Sequence, residues 1–135
     1  MFKKITSFFY VLFLTLALTA CGGNSPEKVA EKFMSYFYNG EIDKAFELMY
    51  IPESAQKDGS AEMVKGKLTM MMGEVKKEID KNGGIKSITA ETAQYSADKT
   101  KASVMVKVVF AKNLPEQKEK VNLRKDGSNW KVDFD

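Results

Sequence analysis

The spacing of apolar residues along the chain changes as it proceeds, and each change predicts a different structure. Ile5–Thr19 is an uncharged run dominated by Phe8, Phe9, Val11, Leu12, Phe13, Leu14, Leu16 and Leu18. From Ser25 the spacing becomes three and four. Val29, Phe33, Tyr36 and Phe37 fall on one face of a helix that Ser25-Pro26-Glu27 would cap and Asn39-Gly40 would close. Ile42, Ala45, Phe46 and Met49 mark a second short helix, which Ile51-Pro52 ends. The polar stretch 53–60 reads as a loop. A third helix is expected from about Ser60 to Lys81, with Val64, Leu68, Met71, Met72, Val75 and Ile79 as its apolar stripe and Asn82-Gly83-Gly84 as its stop. Gly66 and Gly73 fall on the opposite side, where they are either simply exposed or approached closely by another helix or a second subunit.

After Gly84 the period is two. Ile85–Tyr95 is expected as a first strand, followed by a turn at Ser96-Ala97-Asp98-Lys99. In Lys101–Lys112, Ala102, Val104, Val106, Val108 and Phe110 point one way; Ser103, Met105, Lys107, Val109 and Ala111 point the other. Asn113-Leu114-Pro115 breaks that strand. Glu116–Arg124 carries Val121 and Leu123, Asp126-Gly127 marks a hairpin turn, and Trp130, Val132 and Phe134 alternate beyond it. The expected fold is α+β: three N-terminal helices packed on a curved four-stranded antiparallel meander, forming one domain over residues 26–135.

The first twenty residues need a separate reading. Lys3 and Lys4 precede the apolar run, which is short for a bilayer-spanning helix of roughly 20 residues, and small residues follow it. That order is the order of a secretory signal. Its end, Leu18-Thr19-Ala20-Cys21, resembles the lipobox of bacterial lipoproteins. The resemblance implies cleavage before Cys21, with residues 1–20 removed, palmitate-type acyl chains on the cysteine, and residues 21–25 as a short linker. Two or three chains, at roughly 0.8 kcal/mol per buried methylene, hold a protein stably on a membrane. An uncleaved membrane anchor and a buried free thiol are the competing readings. Gly22 follows the cysteine where aspartate would retain the protein in the inner membrane. In an enteric-type host this resembles the outer-membrane sorting pattern, facing the periplasm.

The order of helices and strands resembles the cone-shaped fold typified by nuclear transport factor 2. The chain is also similar to bacterial lipoproteins carrying a domain of unknown function in that cystatin-like, lumazine-binding-like group. The likeness rests on Pro26-Glu27 with Val29, Asn39-Gly40-Glu41 with Ala45-Phe46, Gly83-Gly84-Ile85, and Asp126-Gly127 with Trp130-Lys131-Val132. These residues serve caps, turns and a core strand. None is catalytic.

Composition then narrows the function. Losing Lys3 and Lys4 leaves 19 basic side chains against 18 acidic ones, a balance that argues against nucleic-acid binding. A single cysteine excludes an internal disulfide. There is no histidine, hence neither the usual near-neutral base nor the commonest zinc ligand. Asp43 with Tyr36 or Tyr50 is the one acid–base pairing that can be drawn, and neither a cofactor nor a metal is expected. Three consecutive methionines, Met70, Met71 and Met72, span too wide an arc of a helix to converge on one copper(I) ion.

A non-catalytic binding module is therefore expected, with an interaction module of an envelope assembly and an enzyme on the same superfold as the alternatives. A small apolar pocket would be lined by Phe33, Phe37, Phe46, Leu68, Met71, Val106, Val108 and Trp130, unless these side chains simply fill the core. Met63, Met70, Met105 and Val109 are candidates for a surface that meets an envelope protein or a second copy in a homodimer.

Overall fold

The computed structural model describes residues 25–134. The expected signal sequence with Leu18, Thr19, Ala20 and Cys21, and most of the expected linker, lie outside the described residues. Helix α1, Pro26–Tyr38, begins as its sequence requires: the Ser25 hydroxyl accepts from the Lys28 N–H at 3.2 Å, and Pro26 sits where no donor is missed. The turn that follows needs glycine at position 40. Its φ is +79°, and a Cβ there would lie 2.9 Å from the Lys76 side chain. Helix α2, Ile42–Glu47, buries Ile42 and Ala45.

Residues 53–60 depart from expectation. Glu53–Lys57 form a short helix, α3, because Pro52 leaves the chain at a φ suited to a helical start and an acidic first turn follows. Helix α4, Ser60–Lys81, has the expected extent but a different buried stripe. Ala61, Met72 and Ile79 are buried and Leu68 is half-buried, whereas Val64, Met71 and Val75 are exposed. The helix packs chiefly on α1, α2 and α3 along a line one residue wide. Lys65 and Lys76 lie on that line, covering it with their stems while their ammonium groups reach Asp43 at 2.6 Å and Asp80 at 2.7 Å.

The sheet has five strands, β1 (Ile85–Ala90), β2 (Gln94–Tyr95), β3 (Lys101–Phe110), β4 (Gln117–Asp126) and β5 (Asn129–Val132), in the order β1-β3-β4-β5. The expected first strand is thus broken at residues 91–93. Both pieces pair antiparallel with β3. The break is held from α1: the Glu31 carboxylate accepts from the Ala90 N–H and the Glu27 carboxylate from the Ala93 N–H, both at 3.3 Å. Strand β3 alternates as expected. Ala102, Val104, Val106, Val108 and Phe110 are buried against Val29, Ala30 and Phe33 of α1.

Strand β5 is short. It pairs only with Leu123–Asp126 of β4, and its other edge is closed by the end of α2, where Tyr50 donates to Val132 and Val132 to Leu48, both at 2.7 Å. Among the described residues no helix is long and apolar enough to cross a membrane.

Gly66 and Gly73 have open space where a Cβ would stand. Replacing both with alanine should therefore stabilise the protein by about 1 kcal/mol per site in urea titration. A loss of self-association in sedimentation would instead reveal a helix packed against them. A second expectation concerns Asp98, which accepts from the Ser96 hydroxyl at 2.7 Å and from the Thr100 N–H and hydroxyl. Those donors, Ser96 first, lower its pKa from 3.8 to about 2. A depressed carboxylate pKa contributes stability that is complete above 3.8 and lost as the pH falls through about 2. The stability gap between wild type and Asp98→Asn should be constant near neutrality and close across that acid window.

Candidate functional site

Between α1, α4 and the middle of β4 lies a groove of about 350 Å³. Its floor comes from helix periodicity. Phe33 and Phe37, four residues apart on α1, stack with centroids 5.8 Å apart. Leu68 and Met71 of α4 form one wall, and Val121 and Phe134 form the other. The Phe134 ring meets Phe33 at 5.8 Å and is otherwise exposed. A cavity of this size with an aromatic floor suits a small apolar group. Two other hollows, of about 420 and 450 Å³, are walled mainly by polar and charged residues.

Polar groups occupy the rim. Tyr38 is half-buried and touches Phe37 and Phe110 edge-on. Burial, and then the neighbouring Glu119 charge, raise its pKa above the ordinary 10, so the phenol remains a donor at neutral pH. Glu119, Lys120 and Asp133 complete the mouth.

Of the eight expected lining residues, Phe33, Phe37, Leu68 and Met71 come together here. The other four do not. Val106 and Val108 are fully buried in the middle of β3 and do not line this groove. Trp130 is buried against Tyr95 at 5.8 Å, under the Lys125 ammonium. Phe46 lines a separate hollow, with Lys65 over its ring. Side chains that share the inner face of a sheet are packed by the helix lying on them, and only those beyond the helix edge reach the groove. Phe134, Tyr38, Val121 and Glu119 were absent from the expected set. The alternation of Trp130, Val132 and Phe134 carried the signal for the first of these.

The expected partner surface divides in two. Met63 and Met70 stand on the outer side of α4, 64% and 78% exposed. Met105 is exposed on the outer face of the sheet opposite Lys120, and Val109 is half-buried opposite Ser87. Nothing described covers either face. Asp43, Tyr36 and Tyr50 are drawn to three different cations: Asp43 to Lys65, Tyr36 to Lys44, and Tyr50 to Arg124, whose guanidinium lies 4.1 Å from the ring centroid. Among the described residues no cluster of histidine, cysteine, aspartate or glutamate could hold a metal ion.

A search of curated proteins gives no match. The crystal structure of a Campylobacter jejuni protein, provisionally described as an NTF2-like transpeptidase, is similar to this chain with a TM-score of 0.72 at 26% identity, over 83% of this chain and 100% of the other. The helices and curled antiparallel sheet thus have the NTF2-like cone fold. The profile of DUF4878, a domain of unknown function, matches residues 19–133, and the chain belongs to that family.

Proposed function

We propose that this protein is a lipid-anchored component of the cell envelope that acts by binding an apolar ligand in the groove between α1, α4 and β4. The observation that carries the reading is the aromatic floor of the groove, where the half-buried Phe37 stacks on the buried Phe33 between two helices and β4. An apolar surface of this kind contributes to binding by leaving water. The anchor rests on Leu18-Thr19-Ala20-Cys21 and on the apolar run before it. From Cys21 the linker to Ser25 spans at most about 14 Å, so the start of α1 would sit near the headgroups, facing the periplasm from the outer membrane in an enteric-type host.

The structural neighbour's name raises transpeptidation. Acyl transfer of that kind needs an activated nucleophile and a base oriented on it. This chain has no histidine and its single cysteine is the proposed acylation site. Binding is the reading that its residues support. A second reading, docking on an envelope protein or a second copy, is favoured by the exposed Met63 and Met70 on α4.

Two measurements test the proposal. The apolar fluorophore N-phenylnaphthylamine should bind the protein, and Met71→Glu, which sets a charge on the exposed lip, should weaken that binding about tenfold or more without unfolding it. No binding, or binding indifferent to the variant, would remove the groove. Mass spectrometry of the full chain from a bacterial membrane should find acyl chains that vanish in Cys21→Ser. An unacylated wild type would remove the anchor.

A further inference from the structure

The groove has a second property, and it comes from the strand beside it. Glu119, Lys120, Val121 and Asn122 are consecutive residues of β4, and all four line the cavity. Successive residues of a strand point to opposite faces. A cavity bordered by four in a row reaches the strand's edge as well as its inner face, and before Asn122 that edge is not covered by β5, so here the groove extends as a slot beside β4.

Hydrogen bonding fixes which groups face that slot. The Asp133 N–H donates to the Asn122 carbonyl at 2.8 Å, while the Lys125 N–H, on the other side of the strand, donates to Thr100. Even-numbered residues of β4 therefore turn their main-chain groups away from β3. Two and four residues before Asn122, Lys120 and Lys118 present the same N–H and C=O groups, and among the described residues no strand lies beside them. The other edges are treated differently. The outward N–H of Ala90 at the β1 edge meets the Glu31 carboxylate, and β5 is closed by Leu48 and Tyr50.

On this basis we propose that the ligand of the groove is an extended polypeptide segment that adds to β4 as a further strand, with apolar residues alternating with acidic ones. The proposal rests on the groove reading above and names the class of its ligand. The open stretch, Gln117–Val121, runs for about 17 Å at the rise of a strand, enough for about five ligand residues. Charge complementarity decides their kind. Side chains of the added strand that point inward lie over Phe37, Leu68 and Met71 and are apolar. Those that point outward lie beside Lys118 and Lys120 and are acidic. Among the described residues no carboxylate pairs with Lys120, and the Glu91 carboxylate stays 3.9 Å from Lys118. A second copy fits poorly, because two β4 edges paired antiparallel about Glu119 set Lys118 opposite Lys120.

The test uses a blocked synthetic peptide of about nine residues that alternates glutamate with valine or leucine, titrated against the full chain in detergent. It should bind, and two analogues should bind at least about tenfold more weakly: one with lysine for every glutamate, one methylated on alternate amide nitrogens. Lys120→Pro removes the outward N–H and leaves the β3 side of the ladder intact, since proline is tolerated on an edge strand. This variant should keep the wild-type circular dichroism yet lose the peptide. Lys118→Glu/Lys120→Glu should prefer the lysine peptide. A peptide that fails to bind while the fluorophore binds, or that binds Lys120→Pro unchanged, overturns the inference and leaves the groove standing. If neither ligand binds, the groove reading falls and the inference falls with it.

Discussion

The packing of α1 on β3 is the contact on which the rest of the molecule depends. Val104, Val106 and Val108 are fully buried, in the strand that pairs with β1, β2 and β4 and beneath the helix that supplies Val29, Ala30 and Phe33. In a domain of about 110 residues, one such layer pair must supply most of the apolar burial that offsets chain entropy. Every other element is placed relative to it. The carboxylates of Glu27 and Glu31 pin α1 to the broken first strand, and the end of α2 is stitched to Val132. Helix α4 leans on the other helices rather than on the sheet, which explains why so little of its surface is buried.

From that frame the groove arises through a mismatch of lengths. Strand β4 has ten residues and β5 only four. The inner-face residues of β4 beyond β5 therefore have a helix on one side and no strand on the other, and the second half of α1 projects Phe33 and Phe37 into the space that remains. Phe134 reaches back across this space to Phe33, covering one end of an apolar surface that the sheet itself is too short to close. The groove is thus a consequence of where pairing stops, and its polar rim is the exposed flank of β4.

Much of this was legible in the amino-acid order. The caps of α1, the extent of α4, the alternation in β3 and the Asp126-Gly127 hairpin follow from local chemistry, the α+β architecture follows from their order, and the cone was what the family resemblance implied. Tertiary choices were not legible. The stripe Val64, Met71 and Val75 has the period of a buried face, but period alone cannot say how wide a face the neighbouring helices cover. Val106, Val108 and Trp130 have the hydrophobicity of pocket residues, and hydrophobicity does not distinguish a filled position from one beside a space. Half the lining was anticipated for a related reason: Phe33, Phe37, Leu68 and Met71 lie on helices whose facing direction is periodic. The contribution of β4 depends on the length of its partner, a relation between strands that neither strand carries alone.

The placement of the groove also bears on the anchored reading. Phe37 lies twelve residues beyond Ser25 along α1, which at 1.5 Å per residue puts them about 18 Å apart. Under the proposed anchor the short linker would deliver the chain to Ser25, so a tether at Cys21 would hold one end of α1 near the membrane and set the apolar floor at the other. The groove would then stand away from the lipid, and acyl chains of the bilayer would not compete for it. Its ligand would have to approach from the aqueous side, past Tyr38, Glu119 and Lys120. A rim that carries a phenol, a carboxylate and an ammonium around an apolar floor suits a ligand with polar main-chain groups better than it suits a bare hydrocarbon, because each polar group at the mouth can then exchange water for a partner instead of losing it.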